Sequence, residues 1–90
     1  MEFRDLKAQY TELKPAMDQA IAAVIDKANF ISGSQVSDLE TTLADYVGVK
    51  HCISCGNGTD ALTMMMMAWN IGEGDAIFVP DFTFFASAEV

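Results

Sequence analysis

The chain has 90 residues, of which 51% are hydrophobic, and 13 acidic residues against 5 basic ones give it a net charge of −8. This length corresponds to about one small domain, and the hydrophobic fraction predicts a real hydrophobic core. The charge argues against a nucleic-acid partner, because phosphate binding needs clustered lysine and arginine, and the basic residues here are scattered. It also argues against adhesion to an anionic membrane surface.

The beginning of the chain lacks the pattern of an export signal. MEFRDLKAQY has no basic region followed by an apolar stretch. The longest apolar run, ALTMMMMAWNI, has about half the length of a membrane span, and two close cysteines do not make a disulfide scaffold. We therefore predict a reduced, cytoplasmic protein. Because FFASAEV ends the chain where a helix begins, we also expect an N-terminal piece of something longer.

An amphipathic helix is predicted first, because apolar residues recur at steps of three and four from Leu13 to Ala28. Pro15 is tolerated only near a first turn, so this helix should begin around Lys14. A separate short turn, DLKAQY, should precede it.

A second amphipathic helix follows the interruption NFISGSQ. Its N-cap is either Ser34 or Ser37, the latter spaced from Glu40 as in a capping box. Gly48 should close its far end. The residues predicted to face inward are Val36, Leu39, Leu43 and Val47.

The remainder reads as strand, helix, strand and loop. KHCIS (50–54) and AIFVP (76–80) are predicted strands, and TDALTMMMMAWNI between them is a predicted helix ended by Gly72, with GEGD as a turn. This order predicts an α/β fold with a βαβ unit. The four consecutive methionines, 64–67, point all around a helix, which favours core filling over a binding face.

Cys52 and Cys55 could form part of a metal site, act as a redox pair, or have only a structural role. A zinc site needs about four ligands, and only His51, adjacent to Cys52, could join the two thiols. A redox pair is expected at a helix N-terminus, whereas Cys52 lies within the predicted strand. The favoured interpretation is that both are small buried hydrophobic residues, and no metal site is predicted.

The segment SCGNGTDAL follows a predicted strand and opens a predicted helix. Its glycines allow backbone N–H groups to turn toward a ligand, and a helix N-terminus offers free donors to a phosphate. The spacing matches neither the lysine-containing P-loop nor the dinucleotide fingerprint. By spacing alone, an ordinary strand-to-helix turn explains the segment equally well.

A second loop, VPDFTFFAS, carries three aromatic residues beyond the end of the second predicted strand. Ligands of open α/β sheets bind beyond the carboxyl ends of the strands, so both loops should lie on one rim. An aromatic ring beside a phosphate loop can stack on a flat cofactor. Such residues are more often part of a core, and both interpretations stay open here.

These two loops together resemble the DegT/DnrJ/StrS family of sugar aminotransferases, which use pyridoxal 5'-phosphate (PLP). The resemblance rests on EFRDLKAQY, NFISGSQVSDLE, LADYVGVKHCISCGNGTDAL and GEGDAIFVPDFTFFASAEV, and spans essentially the whole chain. It implies the N-terminal portion of the large domain of a fold type I aminotransferase. Residues 1–33 would be a helical arm and residues 34–90 the start of the α/β cofactor domain.

The resemblance also implies roles for individual residues. Gly58 and Thr59 would bind the PLP phosphate with Asp60 beside them, and Phe84 would lie against the pyridine ring. In the branch that aminates 3-keto UDP-N-acetylglucosaminuronic acid, which this chain most resembles, positions matching Ala28 and Phe30 lie near the nucleotide sugar. Ala28 stands where a relative has glycine.

Other parts of the family's site have no counterpart in this chain. The family supplies, further along, a lysine that binds the cofactor covalently and an acidic residue that pairs with the pyridine nitrogen. No lysine of this chain falls at that position, so no catalytic residue is assigned among Lys7, Lys14, Lys27 and Lys50.

The implied reaction is a two-stage transamination. An amino acid, glutamate by expectation, passes its amino group to PLP, which then aminates a UDP-linked keto sugar for cell-surface polysaccharide biosynthesis. A homodimer is implied by analogy alone. Two alternatives stay open: a truncated, non-catalytic fragment, and a small thiol or metal module.

Overall fold

The computed structural model describes residues 3–90, which contain four helices and no β-strand. The helices are α1 (Leu6–Lys27), α2 (Ser34–Val47), α3 (Gly58–Ala68) and the short α4 (Ala86–Glu89). The chain divides into two compact units. The first unit ends at His51 and holds α1 and α2, and the second unit runs from Cys52 to Val90 and holds α3 and α4.

Helix α1 begins two turns earlier than the sequence predicts. The Asp5 carboxylate caps it by accepting from the Ala8 N–H at 2.9 Å, and Pro15 lies inside the helix. The predicted start near Lys14 and the separate turn at DLKAQY are therefore wrong. An aspartate N-cap satisfies one of the orphan N–H groups of a first turn, and here this cap sets the start.

Side chains on the surface of α1 span the position of Pro15, whose ring removes one backbone donor. The Lys14 ammonium forms an ion pair with the Asp18 carboxylate, and the Tyr10 hydroxyl donates to the same carboxylate at 2.9 Å. The hydrogen bond with Lys14 lowers the pKa of Asp18 from its usual value, and the one with Asp18 raises the pKa of Lys14. These contacts link residues that lie about two turns apart, on either side of the proline.

Helix α2 has the predicted end and a different start. Gly48 takes a left-handed conformation (φ 79°), and its N–H donates to the carbonyls of Ala44 and Asp45, as predicted for a glycine after a helix. The N-cap is the buried Gly33, whose carbonyl accepts from the Val36 N–H at 3.0 Å. Ser34 and Ser37 are not caps. The Ser37 hydroxyl donates instead to the carbonyl of Ser34.

Helix α3 starts at the glycine loop and stops before the predicted glycine. Asn57 is its N-cap and Trp69 its C-cap, and Asn70 then turns left-handed (φ 54°). The Ile71 N–H closes the end by donating to the Met66 carbonyl at 3.0 Å. Gly72 is thus not the terminator, because asparagine also tolerates the left-handed conformation. The predicted turn at GEGD is confirmed by the bond from the Asp75 N–H to the Gly72 carbonyl.

The two predicted strands, 50–54 and 76–80, are absent from the described residues. The βαβ unit is therefore wrong for this chain. A strand is made by hydrogen bonds to a neighbouring strand, and apolar composition alone does not provide that neighbour. The second unit is held instead by a contact between α3 and α4, the latter in the place where FFASAEV predicts a helix.

The predicted hydrophobic core is also absent from residues 3–90, because only Ala44 and Ala86 are buried apolar side chains there. The accessible surface is 8445 Å². A compact protein of this mass would expose about 5,200 Å², and two separately folded units of these lengths about 6,200 Å². Three of the four methionines, Met64, Met65 and Met67, are exposed, so they fill no core here.

None of the helices in residues 3–90 is long and apolar enough to cross a membrane.

Candidate functional site

The loop before α3 is organised by hydrogen bonds to Asn57. The Asn57 side-chain oxygen accepts from the Asp60 N–H at 2.8 Å, and its amide nitrogen donates to the Asp60 carboxylate at 3.2 Å. The Asn57 carbonyl accepts from the Cys55 thiol at 3.1 Å and from the Ala61 N–H at 3.2 Å. Asn57 therefore fixes both the loop and the first turn of the helix.

The first turn of α3 fits an anion such as a phosphate. No hydrogen bond within residues 3–90 uses the N–H of Gly58 or of Thr59, the two donors that follow the N-cap. A Cβ placed on Gly58 would meet no atom within 4 Å other than those of its chain neighbours and its own helix backbone, so there is open space beside this first turn. The half-buried Thr59 side chain adds a hydroxyl. Free donors and the positive end of the helix dipole together favour a bound anion.

The aromatic loop lies in the same unit and leads into α4. Phe84 is 78% exposed and Phe82 is 98% exposed, so neither belongs to a core in residues 3–90. The hydroxyls of Thr83 and Ser87 lie 3.0 Å apart and tie this loop to the first turn of α4. Because α4 contacts α3, the glycine loop and the aromatic loop lead into two helices that pack together.

The two residues predicted near a nucleotide sugar lie in the first unit, just after α1. Ala28 is the C-cap and has a left-handed backbone (φ 51°), a conformation that glycine adopts at lower cost than alanine. Phe30 is 67% exposed. It borders a shallow apolar groove of 390 Å³, whose other walls are Ala20, Ile21, Val24, Ile25 and Gln35.

The two cysteines are free thiols with different surroundings. Cys52 is half-buried, whereas Cys55 is exposed. The prediction that both are small buried hydrophobic residues is therefore wrong for Cys55, which faces solvent while its thiol bonds the Asn57 carbonyl. No three His, Cys, Asp or Glu side chains within residues 3–90 are grouped as a metal ion would need.

Comparison with known proteins decides the family. The model of the DegT/DnrJ/EryC1/StrS aminotransferase family matches residues 11–90. This chain belongs to that family. The match includes the glycine loop, α3 and the aromatic loop, so the two candidate loops are features that the family model covers.

Two curated relatives carry nucleotide-sugar names. The chain is 47% identical over 89 residues to a UDP-2-acetamido-2-deoxy-3-oxo-D-glucuronate aminotransferase of Pseudomonas aeruginosa, covering 99% of this chain and 25% of the relative. It is 42% identical over 85 residues to a UDP-N-acetyl-3-dehydro-alpha-D-glucosamine 3-aminotransferase of Acidithiobacillus ferrooxidans, covering 94% of this chain and 23% of that relative. The chain thus spans about a quarter of the length of the curated relatives it matches.

A solved structure supports the fold assignment at the level of the family. The chain is similar to the crystal structure of a DegT DnrJ EryC1 StrS aminotransferase from Brucella abortus, with a TM-score of 0.91 and 46% identity over 99% of this chain and 24% of that one. The backbone of this chain is therefore that of a quarter of a fold type I aminotransferase, although its described residues form helices only.

One residue of the loop escaped the sequence analysis. The glycine-loop pattern assigns no role to Asn57, yet Asn57 makes the two hydrogen bonds that hold Asp60. The signal was present, because asparagine is among the preferred N-cap residues and stands three positions before an acid.

Proposed function

We propose that this chain is the cofactor-binding segment of a PLP-dependent nucleotide-sugar aminotransferase, which moves an amino group from glutamate to a UDP-linked 3-keto sugar. The observation that carries the proposal is the 47% identity to the Pseudomonas aeruginosa enzyme over 99% of the chain. The names of two relatives specify UDP-sugars with a 3-oxo or 3-dehydro group. A role in cell-surface polysaccharide biosynthesis belongs to the same proposal.

The second unit provides the residues for the cofactor. The N–H groups of Gly58 and Thr59 and the Thr59 hydroxyl bind the phosphate, with Asp60 beside them in the first turn. Phe84 stacks on the pyridine ring, and its exposed face supports this role. When bound, PLP supplies the electron sink for amino transfer.

The first unit provides contacts to the sugar nucleotide. Ala28 and Phe30 are the proposed residues, and the apolar groove beside Phe30 supports a role in holding an apolar or flat part of a ligand. Residues 1–33 are proposed as a helical arm and residues 34–90 as the start of the cofactor domain.

No residue of this chain performs proton transfer in the proposal. The Lys14 ammonium is engaged with Asp18 and Tyr10. Lys7, Lys27 and Lys50 do not match the family's catalytic lysine. A homodimer and a cytoplasmic location complete the proposal, and the free thiols of Cys52 and Cys55 support the second of these.

A chimeric enzyme tests the proposal. In it, these 90 residues replace the matching quarter of the Pseudomonas aeruginosa relative, and the rest of that enzyme supplies the missing parts. We expect the chimera to bind PLP, seen as the visible absorbance of the bound cofactor, and to aminate the keto sugar named for the relative. A folded chimera that binds no PLP would show that the proposal is wrong.

A further inference from the structure

The carboxylate of Asp60 presents an electrostatic problem for the proposed site. Asp60 is the acidic residue in the first turn of α3, next to the two N–H donors assigned to a phosphate. A carboxylate in that turn is attracted to the same positive helix end as the phosphate. It also repels a phosphate that comes close.

The structure places this carboxylate on the loop side of the helix start. The Asn57 amide donates to its Oδ2 atom, and the same atom lies 3.3 Å from where a Cβ on Gly56 would be. The absence of a side chain at Gly56 thus makes room for the carboxylate. The Asn57 oxygen meanwhile accepts from the Asp60 N–H, so a single side chain holds both the backbone and the carboxylate of Asp60.

We propose that Asn57 is a positioning residue for the cofactor phosphate, because it holds the Asp60 carboxylate against Gly56 and so leaves the N–H groups of Gly58 and Thr59 open to the phosphate. This inference rests on the proposed function and adds a residue that the family resemblance did not assign. We assign Asn57 no contact with the phosphate or the reacting atoms. Its effect passes through Asp60.

The side chain of asparagine is suited to this role, and its two functions are separable by substitution. An N-cap needs an acceptor for the N–H of the third helical residue, which serine also supplies. Holding a carboxylate needs a donor that reaches it, which the shorter serine side chain does not provide. Asn57→Ser therefore keeps the cap and releases Asp60.

The test compares two ligands in the chimera defined above. PLP and pyridoxal have the same ring, and only PLP has the phosphate. We expect Asn57→Ser to weaken PLP binding about tenfold, the scale of one nearby like charge, and to leave pyridoxal binding within about twofold. Equal weakening of both ligands would mean that Asn57 only supports the fold of the loop, and an unchanged PLP affinity would mean that it has no role; both results would overturn the inference.

A second substitution isolates the carboxylate. Asp60→Asn removes the charge, so Asn57→Ser in that background should change PLP affinity by less than about twofold, as expected for residues that act through one interaction. A tenfold loss that persists without the charge would overturn the inference. The unsubstituted chimera separates the two hypotheses. If it binds no PLP, both the proposed function and this inference are wrong. If it binds PLP normally and Asn57→Ser has no effect, only the inference is wrong.

Discussion

Both units of this chain are built from helices, but they differ in how many polar groups at the helix ends are already hydrogen-bonded. In the first unit, α1 and α2 are long, and local hydrogen bonds at Asp5 and Gly48 fix their ends. In the second unit, α3 is short, its first turn keeps two free N–H groups, and the segments before and after it are irregular. The first unit is thus specified by near neighbours in sequence. The second unit leaves its polar and aromatic groups available to a ligand or to other parts of a protein.

The largest expected effect is the difference in amino-transfer activity between the 90-residue chain alone and the chimera. Since no residue of this chain matches the family's lysine, we expect the 90-residue chain to show no amino transfer from glutamate to a UDP-linked 3-keto sugar. Chromatography of the sugar product measures this directly, and the unsubstituted chimera serves as the positive control. Amino sugar formed by the chain alone would show that the second unit already holds a complete site.

Substitutions at Thr59 separate its backbone donor from its hydroxyl. Thr59→Ala removes one charge-assisted hydrogen bond, worth roughly 1.5–3 kcal/mol, so PLP affinity in the chimera should fall by about one to two powers of ten. Thr59→Pro also removes an N–H donor and should weaken binding further, while proline remains compatible with a first helical turn. PLP titration by absorbance measures both.

A threonine of the first unit provides the control. Thr42→Ala removes a hydroxyl that donates to the Asp38 carbonyl inside α2, and PLP affinity should not change. If Thr59→Pro bound PLP as tightly as the unsubstituted chimera, the assignment of the phosphate to this helix start would be wrong.

The aromatic loop should have a smaller effect than the phosphate loop. We expect Phe84→Ala to weaken PLP binding by about 0.5–1.5 kcal/mol beyond the lost contact area, whereas Phe84→Tyr keeps a stacking face and should be tolerated. Tyr46→Ala is the matched control, because Tyr46 is an aromatic residue of the first unit that is 88% exposed. A loss shared by Phe84→Ala and Tyr46→Ala would contradict a specific stacking role.

The smallest expected effect lies in the first unit. Ala28 is left-handed at the end of α1, a conformation that costs a residue with a Cβ roughly 1–2 kcal/mol. Ala28→Gly should therefore stabilise α1 by about 1 kcal/mol, seen as a stronger helical circular dichroism signal of the chain at a given urea concentration. Ala23→Gly, inside the same helix, should lower stability by about 0.5–1 kcal/mol. The same sign for both changes would contradict this account.

What the sequence predicted correctly depended on local chemistry. Gly48 after α2 and the turn at residues 72–75 follow from the preferences of single residues for their conformations. Two predicted helix ends are wrong because other nearby residues determine where the helix begins or ends. Pro15 led to a predicted helix start near Lys14, although α1 continues through the proline. Gly72 led to a predicted helix end, although Asn70 turns the chain first.

What could not be predicted depended on partners outside each segment. Residues 50–54 and 76–80 have the composition of strands, but pairing is a property of two segments, and neither segment is a strand in the described residues. In the candidate site, too, some features follow from the local sequence and others depend on contacts in the folded chain. The spacing of the glycine loop is compatible with a phosphate, and the family resemblance implies roles for Thr59 and Phe84. The role proposed for Asn57 could be inferred only from the hydrogen bonds of the folded loop.

The many apolar side chains that these 90 residues leave in water also determine how the chain should respond to heat. The heat capacity of unfolding comes mainly from apolar surface that becomes exposed, and most of the large apolar side chains here are exposed already. Less apolar surface is left for unfolding to uncover than in a compact protein, so we expect the helices of the isolated chain to lose their structure gradually and each over its own temperature range. A single sharp unfolding transition requires the exposed apolar surface of this chain to be covered by other protein segments. Cooperative unfolding therefore depends on contacts outside these 90 residues.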